Sequence, residues 1–194
     1  IDVIVDNIIS NKKVTNVVFE GYKYYIPKGI KYIDKKDYNA ILKDKNNNYY
    51  LYIDAIAYYH KTALNYQKDY NAFYYKEISR GSKKGFIEIM QKDNLYNITI
   101  VYNYGKIEVT SKENNLNETI AKSMIMLSSI TFNDNTLATL IGENALNYKT
   151  ENFTLFKDEK DPESFSSLLE EYSTTYDFDE TIYDEDNIFI EEGQ

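Results

Sequence analysis

The sequence predicts an α+β fold, in which helices pack on the faces of a curved antiparallel β-sheet and an acidic tail follows at the C terminus. Three observations predict it. Apolar and polar residues alternate through residues 95–104, which is typical of a strand with one buried face. Residues 2–10 and 116–127 instead repeat apolar positions every three to four residues, as helices do. Helices and strands follow in an irregular order, which favours an antiparallel sheet.

The first half of the chain is predicted to begin with a helix and to continue as strands. Asp2 can cap a helix over residues 2–10. Extended segments are expected where aromatic and β-branched residues are bounded by Gly, Pro or Asn, at residues 17–19, 22–26, 30–33 or 38–43, and 49–59. The cluster at residues 46–48 predicts a hairpin loop, and the apolar run at 49–59 predicts a long central strand.

The second half is predicted to form a helix, a meander, another helix and a short strand. Thr62 predicts the start of a helix with an aromatic stripe that ends at Arg80. The meander comprises strands at residues 85–92, 95–104 and 107–110. Asn115, followed three residues later by Glu118, resembles a capping box and predicts the next helix. A strand at residues 130–132 and a turn after it complete the pattern.

Three segments organise the chain: an N-terminal helix and linker at residues 1–13, an α+β domain at 14–156 and an acidic aromatic tail at 157–194. A domain of ~150 residues buries roughly 70% of its unfolded surface, which suits a single core. Residues 152–156 are expected to form an edge strand or a short docking segment.

Charge is divided unevenly along the chain. Residues 1–150 hold 20 basic and 16 acidic residues, whereas residues 151–194 hold 2 basic and 15 acidic residues. A mildly charged domain beside a strongly acidic tail attracts neither nucleic acid nor anionic lipid. We therefore expect no nucleic-acid partner and no direct membrane insertion, and no apolar run reaches the ~18 residues of a membrane helix.

Composition removes most catalytic chemistry. The chain has no Cys and a single His, so it lacks the material for thiol nucleophiles, Cys-ligated metals and most His-based sites. We expect neither a cofactor nor a metal, and no enzymatic activity. The chain begins with Ile1, from which we expect that a signal peptide or membrane anchor has been removed.

Three segments resemble the Mog1/PsbP-like fold, over about residues 14–135. They are FEGYKYYIPKG, which looks like the opening strand with its Pro-Gly stop, YLYIDAIAYYHK, which resembles the central strand running into a helix, and NLNETIAKSMIMLSSITFND, which looks like the last helix and strand. The resemblance implies a sheet between helices. It also implies a non-enzymatic adaptor, or a secreted or lipid-anchored bacterial protein, and it transfers no catalytic motif.

One basic segment, at residues 79–85, stands out because it contains the only arginine of the sequence. Its cations Arg80, Lys83 and Lys84 are candidate contacts for an acidic partner or for the acidic tail. The spacing does not match a phosphate-binding loop. The alternative is a solvated connector between a helix and a strand.

The tail interleaves acids with aromatic and aliphatic residues, which distinguishes it from a purely solvating segment. We expect it to become ordered on a partner or on its own domain through apolar anchors. The candidate partner-binding residues are Tyr172, Tyr176, Phe178, Tyr183 and Phe189. Residues 188–190 also fit a strand that adds to a sheet edge.

Tyrosine is abundant, with 21 residues, and Tyr50, Tyr52 and Tyr58 are candidates for an aromatic surface that binds a small molecule or glycan. The alternative is ordinary packing of half-buried rings.

Carboxylates provide the remaining candidates for chemistry. Asp54 interrupts an apolar run, so it needs a hydrogen-bond partner or a raised pKa, and it is too far from His60 to pair with it in a regular strand. A hydrolase built on Asp54, Glu88 and Glu108 ranks last, although the two glutamates could be neighbours on paired strands.

The sequence thus favours a non-enzymatic protein-interaction or assembly module, on the outer side of a bacterial membrane, with a cytoplasmic location as the alternative. A domain that binds a small molecule or glycan through a Tyr-rich face is the alternative function.

Overall fold

The computed structural model describes residues 1–12, 14–36, 38–63, 66 and 68–142. Within these residues, ten strands in two antiparallel sheets and four α-helices confirm the predicted α+β class. The predicted segment at 152–156 and the acidic tail at 157–194 lie outside the described residues.

The helices are α1 (Asp2–Ser10), α2 (Ala55–His60), α3 (Leu116–Ser129) and α4 (Asp134–Gly142), and a 3-10 turn at Glu113–Asn115 precedes α3. The strands are β1 (Val17–Phe19), β2 (Tyr22–Tyr24), β3 (Lys31–Lys36), β4 (Asn39–Lys43), β5 (Asn48–Ile53), β6 (Tyr74–Arg80), β7 (Lys83–Lys92), β8 (Leu95–Tyr102), β9 (Gly105–Lys112) and β10 (Thr131–Phe132).

Seven strands form the main sheet in the order β3-β4-β5-β9-β8-β7-β6, and β1-β2-β10 form a small second sheet. β6 to β9 make a continuous meander, and β5 closes against β9. Both alternative segments at 30–33 and 38–43 are strands, β3 and β4, because they pair with each other as a hairpin. β6 and β3 are therefore the two edges of the main sheet.

The core lies between the main sheet and α3, with α1 packed beside α3. The alternation predicted for β8 is confirmed, since Ile98 and Ile100 are fully buried and their neighbours Asn97 and Thr99 are not. At Gly105, a Cβ atom would lie 2.5 Å from a methyl group of Ile130, so a larger residue there would require the side chains at the end of α3 to shift.

The long strand predicted at residues 49–59 is wrong beyond Ile53. The Asp54 carboxylate accepts a hydrogen bond of 2.8 Å from the Ala57 amide and caps α2. An N-cap satisfies an amide that the first turn of a helix leaves unpaired. Asp54 therefore ends the strand by beginning a helix, and α2 packs against α4.

The helix predicted from Thr62 to Arg80 is also wrong, because its second half is strand β6. Burial alternates around Ile78, which is buried, whereas Glu77 and Ser79 on either side of it are exposed. Seven paired positions with β7 supply hydrogen bonds that outweigh the weak helical spacing of the aromatic residues.

Two predicted helix caps differ from the structure, although both helices form. Ile1, and not Asp2, is the N-cap of α1, and the Asp2 carboxylate instead accepts a hydrogen bond from the Tyr74 hydroxyl. The Asn115 side chain makes no cap bond to α3, although the Thr119 hydroxyl donates to the Asn115 carbonyl. The turn expected after residue 132 is the start of α4. None of the helices in the described residues combines the length and apolar character that crossing a membrane requires.

Candidate functional site

A groove of about 450 Å³ lies where the C-terminal ends of α1 and α3 meet the hairpin between β6 and β7. Its lining combines two cations with hydroxyl and amide groups and one aliphatic side chain. The lining residues are Ile9, Ser10, Asn11, Arg80, Gly81, Ser82, Lys83, Tyr102 and Ser128. The groove thus includes two of the three basic residues that the sequence singled out.

A tight turn shapes the basic end of the groove. Arg80 pairs with Lys83, so the turn contains only Gly81 and Ser82. Gly81 has a φ of 60°, and Ser82 has a negative one, as in a type II′ turn that needs glycine at its first central position. The alternative prediction of a helix-to-strand connector is therefore wrong: this segment is a β-hairpin, and its ladder places Arg80 and Lys83 opposite each other.

Strand alternation separates the three predicted cations. Arg80 and Lys83 are directly paired and share the face that carries α1, where both line the groove. Lys84 pairs with Ser79 and belongs to the opposite face of the sheet. The structure thus brings Arg80 and Lys83 together and excludes Lys84 from the groove.

Neither groove cation has an ionic partner within the described part of the chain. Partial burial lowers the pKa of Lys83, since no carboxylate compensates for the lost hydration. Lys76, on the same strand face, differs because its ammonium lies 3.1 Å from Asp2 and 3.2 Å from Asp6. Arg80 at the end of β6 and Lys83 at the start of β7 thus form no ion pair with α1.

The other groups in the groove modify this charge. Burial raises the pKa of Tyr102, and the nearby Arg80 partly offsets that rise. The last turns of α1 and α3 end at the groove, and helix C-termini carry partial negative charge that favours nearby cations. Two full positive charges still exceed two partial negative ones. The groove therefore suits a carboxylate, with hydroxyl groups available to hydrogen-bond it.

Sequence reasoning found the cations but missed the wall opposite them. Ser10, Asn11 and Ser128 reach the groove only because α1 and α3 end side by side. A charge cluster is visible locally, whereas this helix pairing depends on long-range packing. No signal in the sequence could have identified these residues.

The three tyrosines proposed as a ligand surface do not form one face. Tyr50 and Tyr52 lie on the sheet face opposite α3, at 5% and 4% exposure, so little ring area is open. Tyr58 belongs to α2, where its ring stacks on Phe132 at 3.9 Å and the Lys61 ammonium lies 3.6 Å above it. The proposed aromatic partner-binding residues of the tail lie outside the described residues.

The carboxylate candidates occupy separate places. Glu88 and Glu108 both pair with Thr99, which lies between them, so they are two strands apart and not neighbours on paired strands. Burial raises the pKa of Asp54, although its cap bond lowers it in part, which agrees with the expected need for a partner. His60 ends α2 beside the Tyr59 ring.

Within the described residues, no three His, Cys, Asp or Glu side chains form a group that could hold a metal ion. Neither the models of known protein families nor the curated proteins gave a match for this chain. The resemblance to the Mog1/PsbP-like fold stays a prediction.

Proposed function

We propose that this protein is a non-enzymatic interaction module whose basic groove binds an acidic segment of a partner protein. One observation carries the proposal: Arg80 and Lys83 are paired across a two-residue turn, without an ionic partner among the described residues. Leaving a partly buried ammonium unpaired lowers stability, and a ligand that brings a carboxylate recovers that loss.

A guanidinium binds a carboxylate through two parallel hydrogen bonds, whereas an ammonium acts as a compact point charge. Arg80 can therefore orient an acidic side chain while Lys83 neutralises a second charge. The groove is open to solvent, so an acidic segment of another chain can reach both cations. The Tyr-rich face is the weaker alternative for a ligand, because Tyr50 and Tyr52 are almost fully covered.

The acidic tail supports the same function from the sequence side. Its 15 acidic residues within 151–194 alternate with apolar anchors, so it is suited to a basic surface of a partner or of its own domain. We further propose an extracytoplasmic location in a bacterium, which rests only on the Mog1/PsbP-like resemblance. Fractionation of cells that produce the natural protein tests it, and recovery in the cytoplasm alone would contradict it.

The groove is tested by binding of a fluorescent peptide with the sequence of residues 176–192, which stands in for an acidic partner. We expect Arg80→Gln and Lys83→Met each to weaken binding by about tenfold, or about 1.4 kcal/mol. Lys84→Met is the matched control, because Lys84 lies on the other sheet face. Added salt should weaken binding to the natural protein. Equal affinities for all three variants would refute the groove as the site.

The role of the tail is tested separately by removing residues 157–194. We expect a partner recovered with the full chain to be lost, while circular dichroism shows an unchanged fold. Unchanged recovery would assign partner binding to the groove alone.

A further inference from the structure

We propose that the partner of the basic groove is an extended, acidic peptide that adds to the main sheet as a strand along the outer edge of β6. This inference rests on the proposed function, since Arg80 is the last residue of β6 and Lys83, its partner across the turn, is the first residue of β7. It adds a mode of binding, in which the peptide backbone pairs with the sheet and the cations select its charge.

The first argument is that β6 is an edge strand of the sheet that the described residues form. It has seven residues, each paired with β7, and within the described residues no strand pairs with its other side. A regular edge strand offers a row of unpaired amide and carbonyl groups to another chain. β6 contains no proline and no register shift, which are features that would prevent such pairing.

The opposite edge of the sheet differs in these respects. The pairing of β3 with β4 shifts register between Tyr32 and Asp34. β3 also carries Lys31, Lys35 and Lys36 within six residues. Bulges and lysines are the usual devices that block edge-to-edge association. Because β6 keeps a regular register and β3 does not, the binding role is assigned to β6.

The second argument is the direction of the backbone groups. A two-residue turn joins Arg80 to Lys83, so these residues exchange the bonds that close the hairpin. Because the pattern alternates along an antiparallel ladder, the amides of Tyr75, Glu77 and Ser79 point away from β7. These three alternate residues, whose amides all point outward, can pair with a peptide of about six residues.

The third argument is that side chains border this edge on both faces of the sheet. On one face, α1 lies along β6, with Asp2 bonded to Tyr74 and Asp6 to Lys76. On the other face, the Tyr66 ring lies 6.2 Å from the Tyr75 ring, with 13° between their planes. A strand added at this edge would lie beside the exposed Asp2 and Asp6 carboxylates on one face and beside the Tyr66 and Tyr75 rings on the other. The favoured peptide therefore has apolar residues at its centre for the tyrosine face, and an acidic flank that reaches Arg80 and Lys83.

The test uses the full chain and a probe peptide with the sequence DEDNIFIEE, which has this composition and matches residues 184–192. Two further probes carry N-methyl groups on alternate residues, one set at the odd positions and the other at the even ones. Only alternate amides of an added strand face the sheet, so only one of the two methylated sets should block pairing. We expect that peptide to lose at least tenfold in affinity and the other to bind within about threefold of the parent. Equal binding of both would overturn strand addition.

Amide hydrogen exchange supplies the second readout. Saturating peptide should slow exchange at Glu77 and Ser79 at least tenfold, and leave Ile78, whose amide points toward β7, unchanged. Protection of Glu77 and Ser79 before peptide is added would overturn the proposal, since the edge would already be occupied. Glu77→Pro should keep the fold, because the Glu77 amide points away from β7 and an edge strand tolerates proline at such a position. It should abolish peptide binding, because proline has no amide hydrogen to donate to the peptide. Glu77→Thr is the matched control, because it keeps the amide and should bind.

The outcomes separate the two proposals. If the parent peptide binds and depends on Arg80 and Lys83, but Glu77 and Ser79 gain no protection, strand addition fails and the basic groove stands. If the parent peptide does not bind at all, the proposed function fails with it.

Discussion

The Asp44 carboxylate lies 2.6 Å from the Lys122 ammonium, and this ion pair joins the turn between β4 and β5 to α3. The same carboxylate accepts hydrogen bonds of 2.8 Å from the Tyr49 hydroxyl and from the amides of Asn46 and Asn47. Asp44 is thus a buried anchor for α3. It is a structural site, and its partners already satisfy both carboxylate oxygens.

The first prediction concerns Asp44→Ala. Removing one partner of a buried ion pair leaves the other charge and several hydrogen-bond donors unsatisfied, so we expect the free energy of unfolding to fall by about 3 kcal/mol. Urea denaturation at pH 7 measures this. Glu118→Ala is the matched control, because Glu118 pairs with Lys122 at 2.7 Å on an exposed helix surface and such pairs contribute under about 1 kcal/mol. Equal losses would show that burial of the pair is unimportant.

The second prediction is that Asp44 contributes to acid unfolding. Burial alone would raise the pKa of Asp44, but hydrogen bonds from Lys122, the amides of Asn46 and Asn47, and Tyr49 outweigh it and lower the pKa. A carboxyl with a depressed folded pKa stabilises the fold above its unfolded value of about 4, and that contribution is lost as pH falls through the folded value. The loss of stability below about pH 4 should therefore be smaller in Asp44→Asn. Plots of the free energy of unfolding against pH that run parallel for the natural chain and Asp44→Asn would contradict this.

The third prediction concerns the contact of Gly105 with α3. A Cβ atom would lie 2.5 Å from Ile130 and 2.7 Å from Leu127, so Gly105→Ala should lower the free energy of unfolding by about 1–3 kcal/mol. Leu127→Ala removes one of these two contacts and so frees part of the space that the new methyl group needs. The loss in free energy of unfolding should therefore be smaller in the double variant than the sum of the losses in the two single variants, as measured by a double-mutant cycle. Losses that simply add would mean that other residues relieve the clash.

These residues show which parts of the fold can be predicted from sequence. Ile98 and Ile100 alternate with polar neighbours because only one face of β8 meets α3, so strand and burial are both readable. Asp54 is less predictable, because an acid within an apolar run is compatible with an interrupted strand and with a helix cap. The hydrogen bond from the Ala57 amide, which exists only once α2 has formed, distinguishes the two.

The site was predictable to a similar degree. Arg80 and Lys83 stand out by charge alone. Whether Lys84 joins them depends on the register of β6 with β7, which the helix predicted for residues 62–80 concealed. The wall formed by Ser10 and Ser128 depends on the packing of two helices that are distant in sequence. The sequence therefore shows which residues are charged, but not which distant residues pack beside them.

The fourth prediction concerns Tyr58, whose hydroxyl donates a hydrogen bond of 2.7 Å to Asp134 and links α2 to α4. Burial, and then this bond, raises the pKa of Tyr58 to about 12. Tyr58→Phe should lower the free energy of unfolding by about 1 kcal/mol at pH 7. A group whose pKa is raised by folding contributes its full stabilisation below its unfolded pKa of about 10, and this contribution is lost as pH rises through about 12. The difference in free energy of unfolding between the natural chain and Tyr58→Phe should therefore shrink from pH 10 to 12.

Tyr59→Phe is the control for that experiment, because the Tyr59 hydroxyl makes no hydrogen bond within the described residues. It should leave stability at pH 7 within about 0.5 kcal/mol of the natural chain. A loss as large as that of Tyr58→Phe would remove the argument for a specific link between α2 and α4.

The last prediction is that binding and stability oppose each other at Lys83. Burial without an ionic partner lowers the pKa of Lys83, so its charged form weakens the fold at pH 7. Lys83→Met should raise the free energy of unfolding by up to about 1 kcal/mol while it weakens peptide binding, and Lys84→Met should do neither. For a lysine with a depressed folded pKa, stability rises with pH as the folded value is passed and levels off near about 10.4. That rise should be absent from Lys83→Met when urea denaturation is compared between pH 7 and 10. A less stable Lys83→Met would mean that the ammonium already has a stabilising partner, and the argument that the groove awaits an acidic ligand would fail.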